Sequence, residues 1–223
     1  MDIYNSLRRF FGEDFYRKVL NFSKNICINP FETLVGTIIS QNTNRRNTLK
    51  AFKELKKNIV ISPQNILDTP IYLIEESLKG AGLYRIKSRR LKIISKIIVD
   101  EFGGDFNKIF EMDPMKLRKF LLSLPGVGYK TADIILLFCL KYPIMPVDTH
   151  ISRIVYRLGL TSSKIYEDIR NSLEKYLDKS YEKYVFIHLA LIEYGRKICM
   201  KRRPKCDICI FRDDCRWYFQ NYG

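Results

Sequence analysis

The chain has no run of about 18 apolar residues, which excludes a membrane-spanning helix of ordinary length. Its opening stretch, MDIYNSLRRFFGEDF, has no basic start followed by an apolar core, so no secretory signal is expected. Acidic residues are scarce. Only 24 Asp and Glu face 39 Lys and Arg, leaving a formal charge of +15 on 223 residues. Strand-period alternation is missing, and so are internal repeats and low-complexity tracts. The six cysteines are not spread as a secreted disulfide framework would spread them. Two stand alone in apolar surroundings, Cys27 and Cys139, and are expected to be buried small hydrophobes. The other four fall near the C-terminus, and the set as a whole suits the cytoplasm.

What is present narrows the class further. With 46% hydrophobic and 13% aromatic residues, the chain is too apolar for a disordered polybasic tail. It is long enough for two small domains. Excess positive charge on a compact chain calls for a polyanionic partner, above all nucleic acid.

Helical periodicity runs throughout. Within residues 3–22, Ile3, Leu7, Phe10, Phe11, Phe15, Val19 and Phe22 recur at spacings of three and four, one apolar face. Pro30 opens a largely apolar helix, PFETLVGTIIS, and NRRNTLKAFKELKKN follows as an amphipathic one with Leu49, Phe52 and Leu55 on its apolar side. Pro63 and Pro70 mark short starts, and Gly80-Ala81-Gly82 a loop. Residues 85–101 form a basic amphipathic helix with Ile86, Leu91, Ile94, Ile97 and Ile98 apolar and Arg85, Lys87, Arg89 and Arg90 charged; Gly103-Gly104 ends it. Asp113 caps another helix. Buried segments are expected at 115–123 and 129–142, a break at Pro143 and Pro146, and a further helix from Asp148. The fold class is all-α.

Four features carry chemistry. Leu124-Pro125-Gly126-Val127-Gly128 joins two apolar helices by a sharp turn, and the helix it opens presents uncovered N–H groups that can bind a phosphate without reading sequence. Lys130 lies in the first turn of that helix. A positive helix end and partial burial would disfavour its ammonium form, leaving a nucleophilic amine; the plainer alternative is a solvated lysine. Asp148, in Pro-Val-Asp-Thr-His, could serve chemistry or simply cap a helix. The third feature is Cys199, Cys206, Cys209 and Cys215, in the spacing Cys-x6-Cys-x2-Cys-x5-Cys. Four such thiolates could hold zinc or a [4Fe-4S] cluster, and a single tight pair with unequal arms favours the cluster. The loop they enclose carries Lys201, Arg202, Arg203 and Lys205, suited to a phosphate backbone. The fourth is Ser40-Gln41-Asn42-Thr43, where an amide could cap a helix or fill the gap left by an extruded base.

Together these residues resemble the endonuclease III family of the helix–hairpin–helix DNA glycosylase superfamily. LPGVGYKTAD followed by VDTHISR is similar to the family's hairpin, catalytic lysine and catalytic aspartate, 18 positions apart, and the cysteine tail matches its [4Fe-4S] loop in every gap. NPFETLVGTIISQNT and AGLYRIKSRRL resemble two further family segments, and the likeness spans roughly residues 28–217. It implies two helical domains with a DNA-binding cleft between them: residues 28–142 as a six-helix barrel with the hairpin, and 1–27 plus 143–223 as the iron–sulfur domain. It also implies a monomeric, nucleoid-associated cytoplasmic enzyme of base excision repair. Such an enzyme removes oxidised pyrimidines such as thymine glycol from double-stranded DNA and then cleaves the abasic site. Lys130 and Asp148 would be catalytic. Gln41 or Asn42, Leu83, Gly126, Val127, Gly128 and the basic loop would contact DNA, with Leu83 an apolar wedge.

Tyr129 stands where relatives often carry Arg, and Tyr194 where some have His near the substrate pocket. A monofunctional mismatch glycosylase, removing adenine or the thymine of G·T pairs, is the alternative. Lys130 and a chain closing shortly after Cys215 speak against it. A non-enzymatic iron–sulfur DNA-binding protein would have no need of the Lys130/Asp148 pair.

Overall fold

The computed structural model describes residues 1–25 and 27–222; Ile26, within the expected 1–27 segment, lies outside the described residues. The protein is all-helical, with no strand among the described residues. None of its described helices is long and apolar enough to cross a membrane. The chain divides into two compact units, one of Ile26–Leu140 and one of Met1–Asn25 with Lys141–Gly223. We call them the inserted unit and the split unit.

The split unit holds α1 (Ile3–Asn25), α9 (Thr149–Leu158), α10 (Tyr166–Glu174), α11 (Tyr181–Lys197) and α12 (Arg216–Tyr222). The inserted unit holds α2 (Pro30–Ser40), α3 (Arg45–Asn58), α4 (Pro63–Asp68), α5 (Ile71–Leu78), α6 (Tyr84–Phe102), α7 (Pro114–Ser123) and α8 (Tyr129–Phe138).

In the inserted unit, α2 is central because its apolar residues occupy more than one face. Phe31, Leu34, Val35, Ile38 and Ile39 are all buried, and the helix packs on α3, α6 and α8. Asn29 caps its start by accepting the Glu32 N–H at 3.1 Å. The buried side of α3 is Ala51 and Leu55. Leu49, expected there, is exposed, because at 3.6 residues per turn it lies about 160° around α3 from Ala51 and about 120° from Leu55. Gly103 ends α6 in the left-handed region, at φ 63°. Asp113 caps α7 through the N–H groups of Met115 and Lys116.

The helix expected over 129–142 stops at Phe138. Lys141 then turns left-handed, at φ 56°, and Pro143 cannot continue a helix. A buried ion pair fastens α7 to α8. Arg118 Nε donates to Asp133 Oδ1 at 2.6 Å and Arg118 Nη2 to Oδ2 at 3.2 Å, a two-point geometry that fixes both planes.

Cys27 and Cys139, expected to be separate buried thiols, form a disulfide instead. Their Cα atoms lie 5.2 Å apart although 112 positions separate them in sequence. Neither is fully buried. They stand where the chain enters and leaves the inserted unit, a closeness that no local pattern reveals.

In the split unit, α1 packs along α11, and α9 against α10, α11 and α12. The single apolar face expected over residues 3–22 is broken. Gly12, at φ 75°, kinks α1, and Phe22 is exposed. The first half still buries Ile3 and Leu7, while Phe15 and Tyr16 set ring edges against buried Phe186. Burial also raises the Tyr184 hydroxyl to a pKa of about 12.

Candidate functional site

The glycine turn between α7 and α8 has the expected form. Val127 N–H closes it onto Leu124 O at 3.1 Å, and Val127 is buried beneath it. Gly126 sits at φ 80°, where a Cβ would also fall 2.5 Å from Arg90 Cδ. The positive φ favours glycine there, and a Cβ would in addition have to displace the Arg90 side chain. Gly128 is the N-cap of α8 and supplies no side-chain cap, and a Cβ there would meet open space. The start of α8 is thus approachable, with its dipole pointing outward.

Lys130, in the first turn of α8, is exposed. The partial burial expected of it is not found, because the hairpin offers it no apolar wall within its own unit. Its neighbour Tyr129 lies instead under the Arg118 guanidinium, 5.2 Å from ring centroid to Cζ, and joins the ion pair below.

Asp148 is the N-cap of α9. Its Oδ1 accepts from the N–H groups of His150 at 2.9 Å and Ile151 at 2.8 Å. The capping role and any chemical role are therefore compatible, since one carboxylate oxygen does the capping. The same carboxylate lines a cavity of ≈ 450 Å³ within the split unit, together with Ser152, Arg153, Tyr156, Lys164 and Tyr166.

The amide pair is divided by its surroundings. Gln41 is half-buried, and its Nε2 donates to Gly126 O at 2.8 Å while its Oε1 accepts from Arg90 Nη1 at 3.2 Å. Asn42 is exposed, at a left-handed φ of 52°. Leu83 is likewise exposed and left-handed, at φ 49°. Among the described residues only Asn42, Leu83, Lys141 and Arg203 have positive φ without being glycine. Three of these four are residues the sequence marks for DNA contact. Bulky residues in this region carry strain, which concentrates at working sites.

The four terminal cysteines are free thiols, and all line one small cavity of ≈ 20 Å³ walled by Ile198, Pro204 and Trp217. Burial, and then the neighbouring thiols, push Cys206 and Cys215 up from their ordinary pKa. No three His, Cys, Asp or Glu among the described residues stand close enough to chelate one ion. Four thiols lining one cavity are a donor set suited to a thiolate-bound metal centre.

Two arginines of α9 hold this loop. Arg153 Nε donates to Cys199 O at 2.9 Å, and Arg157 Nη1 donates to Met200 O at 2.8 Å and to Cys199 Sγ at 3.3 Å. Lys201, Arg202, Arg203 and Lys205 are all exposed, Arg203 at φ 49°. Tyr194, expected near a substrate pocket, is fully buried against the cysteines. Its hydroxyl donates to Cys209 Sγ at 3.1 Å and accepts from Ile210 N–H at 3.0 Å, and burial raises its pKa strongly.

Sequence reasoning missed Lys87, which it placed on the charged face of α6 but which is only 1% exposed. The signal was available, because 87, 91, 94 and 98 share the buried stripe with Leu91, Ile94 and Ile98. It also missed the Arg118–Asp133 pair and the arginines of α9.

Comparison with known proteins places these features in context. Residues 35–179 match the family described as HhH-GPD superfamily base excision DNA repair protein. The chain is 37% identical to endonuclease III of Sulfolobus acidocaldarius over 227 residues, covering 99% of each. It is 29% identical to endonuclease III of Escherichia coli, covering 89% of this chain and 86% of the other. Among solved structures, a trapped endonuclease III–DNA covalent intermediate superposes with TM-score 0.74 at 25% identity, covering 92% of this chain and 94% of that one.

Proposed function

We propose, for a chain that belongs to the HhH-GPD superfamily and within it to the endonuclease III family, that it is a bifunctional DNA glycosylase and abasic-site lyase of base excision repair. The observation that carries this reading is Lys130, exposed in the first turn of α8 directly behind an uncapped helix start and a glycine turn. The N–H groups at that start and the backbone of Gly126, Val127 and Gly128 would grip a phosphate without regard to sequence.

The substrate is double-stranded DNA with an oxidised pyrimidine, such as thymine glycol, or an abasic site. The damaged nucleotide is turned out of the stack. Lys130 Nζ attacks C1′ of the sugar with its lone pair. The C1′–N bond breaks and the base leaves with the bonding electron pair. The sugar ring then opens as the C1′–O4′ bond breaks and O4′ takes a proton, giving the C1′=Nζ Schiff base. This acidifies the C2′ protons, loss of one expels the 3′ phosphate by β-elimination, and water hydrolyses the imine to free Lys130. Asp148 stabilises the cationic sugar electrostatically and accepts protons during the sequence. Asn42 and Leu83 fill the space the nucleotide vacates, and Lys201, Arg202, Arg203 and Lys205 neutralise backbone phosphates.

Cys199, Cys206, Cys209 and Cys215 would hold a [4Fe-4S] cluster, which when bound supplies cross-links that order the basic loop. The inserted unit, which has seven α-helices among its described residues where the resemblance implies six, would serve as the hairpin domain, and the split unit as the cluster domain. A monomer acting in the cytoplasm, at the nucleoid, suits this role. The Cys27–Cys139 disulfide is the feature a reducing compartment would challenge, and free-thiol titration of freshly lysed material decides its state there.

Borohydride should trap a covalent adduct between the protein and an abasic duplex, and Lys130→Gln should abolish it. Absence of an adduct with the unsubstituted protein would overturn the lyase assignment. A cleavage panel of thymine glycol, uracil, 8-oxoguanine, G·T and abasic duplexes then identifies the preferred lesion.

A further inference from the structure

Lys87 is a buried ammonium whose contacts are all backbone. Its Nζ donates to Ile39 O at 2.8 Å and to Ala81 O at 2.9 Å. Ile39 belongs to the last turn of α2, and Ala81 ends the short 3-10 helix Lys79–Ala81. Carbonyls at helix ends lack the partner the helix gives its interior ones. They also form the negative ends of the helix dipoles. One ammonium thus closes two helix C-termini at once. Burial and the charge of Arg90 both lower its pKa, so the ammonium is held there against a cost. A leucine at this position would complete the buried stripe of α6 with no charge to desolvate. What the lysine adds is a fixed spacing between two backbones.

Those two backbones lead directly to the exposed left-handed residues. Three positions beyond Ile39 lies Asn42, and two beyond Ala81 lies Leu83. Arg90, on the next turn of the same helix, makes the third connection. It donates to Gln41, which in turn donates to Gly126 O in the glycine turn. Arg90 also fills the space above Gly126 that any Cβ would need. Gln41 is engaged at both ends of its amide, whereas Asn42 projects from the same turn exposed.

We propose that Lys87 and Arg90 are positioning residues that lock the Asn42 turn, the Leu83 turn and the glycine turn into one rigid edge for insertion into the duplex, with Gln41 as an internal strut and Asn42 as the inserting amide. This rests on the base-extruding reading above. A wedge set in advance loses less freedom on insertion, so more of the binding energy goes into opening the stack.

The test uses the full protein with its cluster and a duplex carrying tetrahydrofuran, an abasic analogue that cannot be cleaved, opposite 2-aminopurine. Insertion changes the 2-aminopurine fluorescence whether or not the protein has lyase activity. In parallel, single-turnover cleavage is compared on a natural abasic site in duplex and in single-stranded DNA, which needs no opening. Lys87→Met and Arg90→Lys should lose most of the fluorescence change. Their duplex cleavage should fall about tenfold or more, with single-strand cleavage within about twofold of the parent.

Arg90→Lys keeps the charge but not the fork that holds Gln41, so its loss is not one of phosphate grip. It also carries the test if Lys87→Met fails to fold. Gln41→Ala should behave like Arg90→Lys, while Asn42→Ala should lose the fluorescence change with no shift in melting temperature. Equal losses on both strands, or no loss on the duplex, overturns the proposal, as does a parent protein that gives no fluorescence change. A parent that inserts but forms no borohydride adduct leaves the edge intact and removes the lyase reading alone.

Discussion

The two units hold their working loops by different means. In the inserted unit every fastening is supplied by the chain itself: the Lys87 bracket, the Gln41–Arg90 link, the Arg118–Asp133 pair and the Cys27–Cys139 disulfide. In the split unit, Arg153 and Arg157 reach the cysteine loop from α9, but its four thiols converge without bonding to one another. On the proposed function, these four thiols are the donors of the cluster. The turns that would then open a duplex are held by the chain's own contacts, while the loop that would grip phosphates is held by α9 together with the cluster.

The comparison is most severely tested by removing the cluster. Chelation of iron, or Cys206→Ser, should abolish visible absorption and expose residues 199–215 to protease. The inserted unit's protection in hydrogen exchange should stay unchanged; a parallel loss in both units would erase the distinction. Next in size is the buried ion pair. Arg118→Met takes the guanidinium away from the buried Asp133 carboxylate, at a cost of about 3–5 kcal/mol, read by denaturant unfolding of the inserted unit, with the cluster spectrum retained.

Reducing the disulfide, or replacing both Cys27 and Cys139 by Ser, should cost the inserted unit about 2–4 kcal/mol by freeing its two ends in the unfolded chain. An equal shift in the split unit would show that the clamp is not local. The smallest effect on stability should come from Asp148→Asn. Asparagine still caps α9, so unfolding should move by only about 0.5 kcal/mol or less, while cleavage falls sharply. Asp148→Ala should lose the cap as well, about 1 kcal/mol. Equal stability of the two variants would show that the cap contributes little.

Much of this was legible in the chain and some was not, for a consistent reason. The glycine turn, the Asp113 and Asp148 caps and the cysteine spacing are local, and each implies its geometry within a few residues. Lys87 was half legible. Its periodicity marked the buried face, but its charge argued for solvent, and the two backbone carbonyls that reconcile them lie 48 and 6 positions away. The Arg118–Asp133 pair and the Cys27–Cys139 bond depend on how helices meet, which pattern alone does not carry. Tyr194 was no more legible: its burial among Phe10, Phe211 and the cysteines depends on contacts between segments far apart in sequence.

The split unit has a consequence for biosynthesis. Its first helix, α1, packs on α11, which begins at Tyr181, so α1 leaves the ribosome long before its partner exists. Since domains fold as they are made, the inserted unit can complete itself while the phenylalanines of α1 remain uncovered. The cysteines emerge only after α11. On the proposed function, the order of synthesis makes cluster loading a closing step, taken on a chain whose inserted unit has already been assembled.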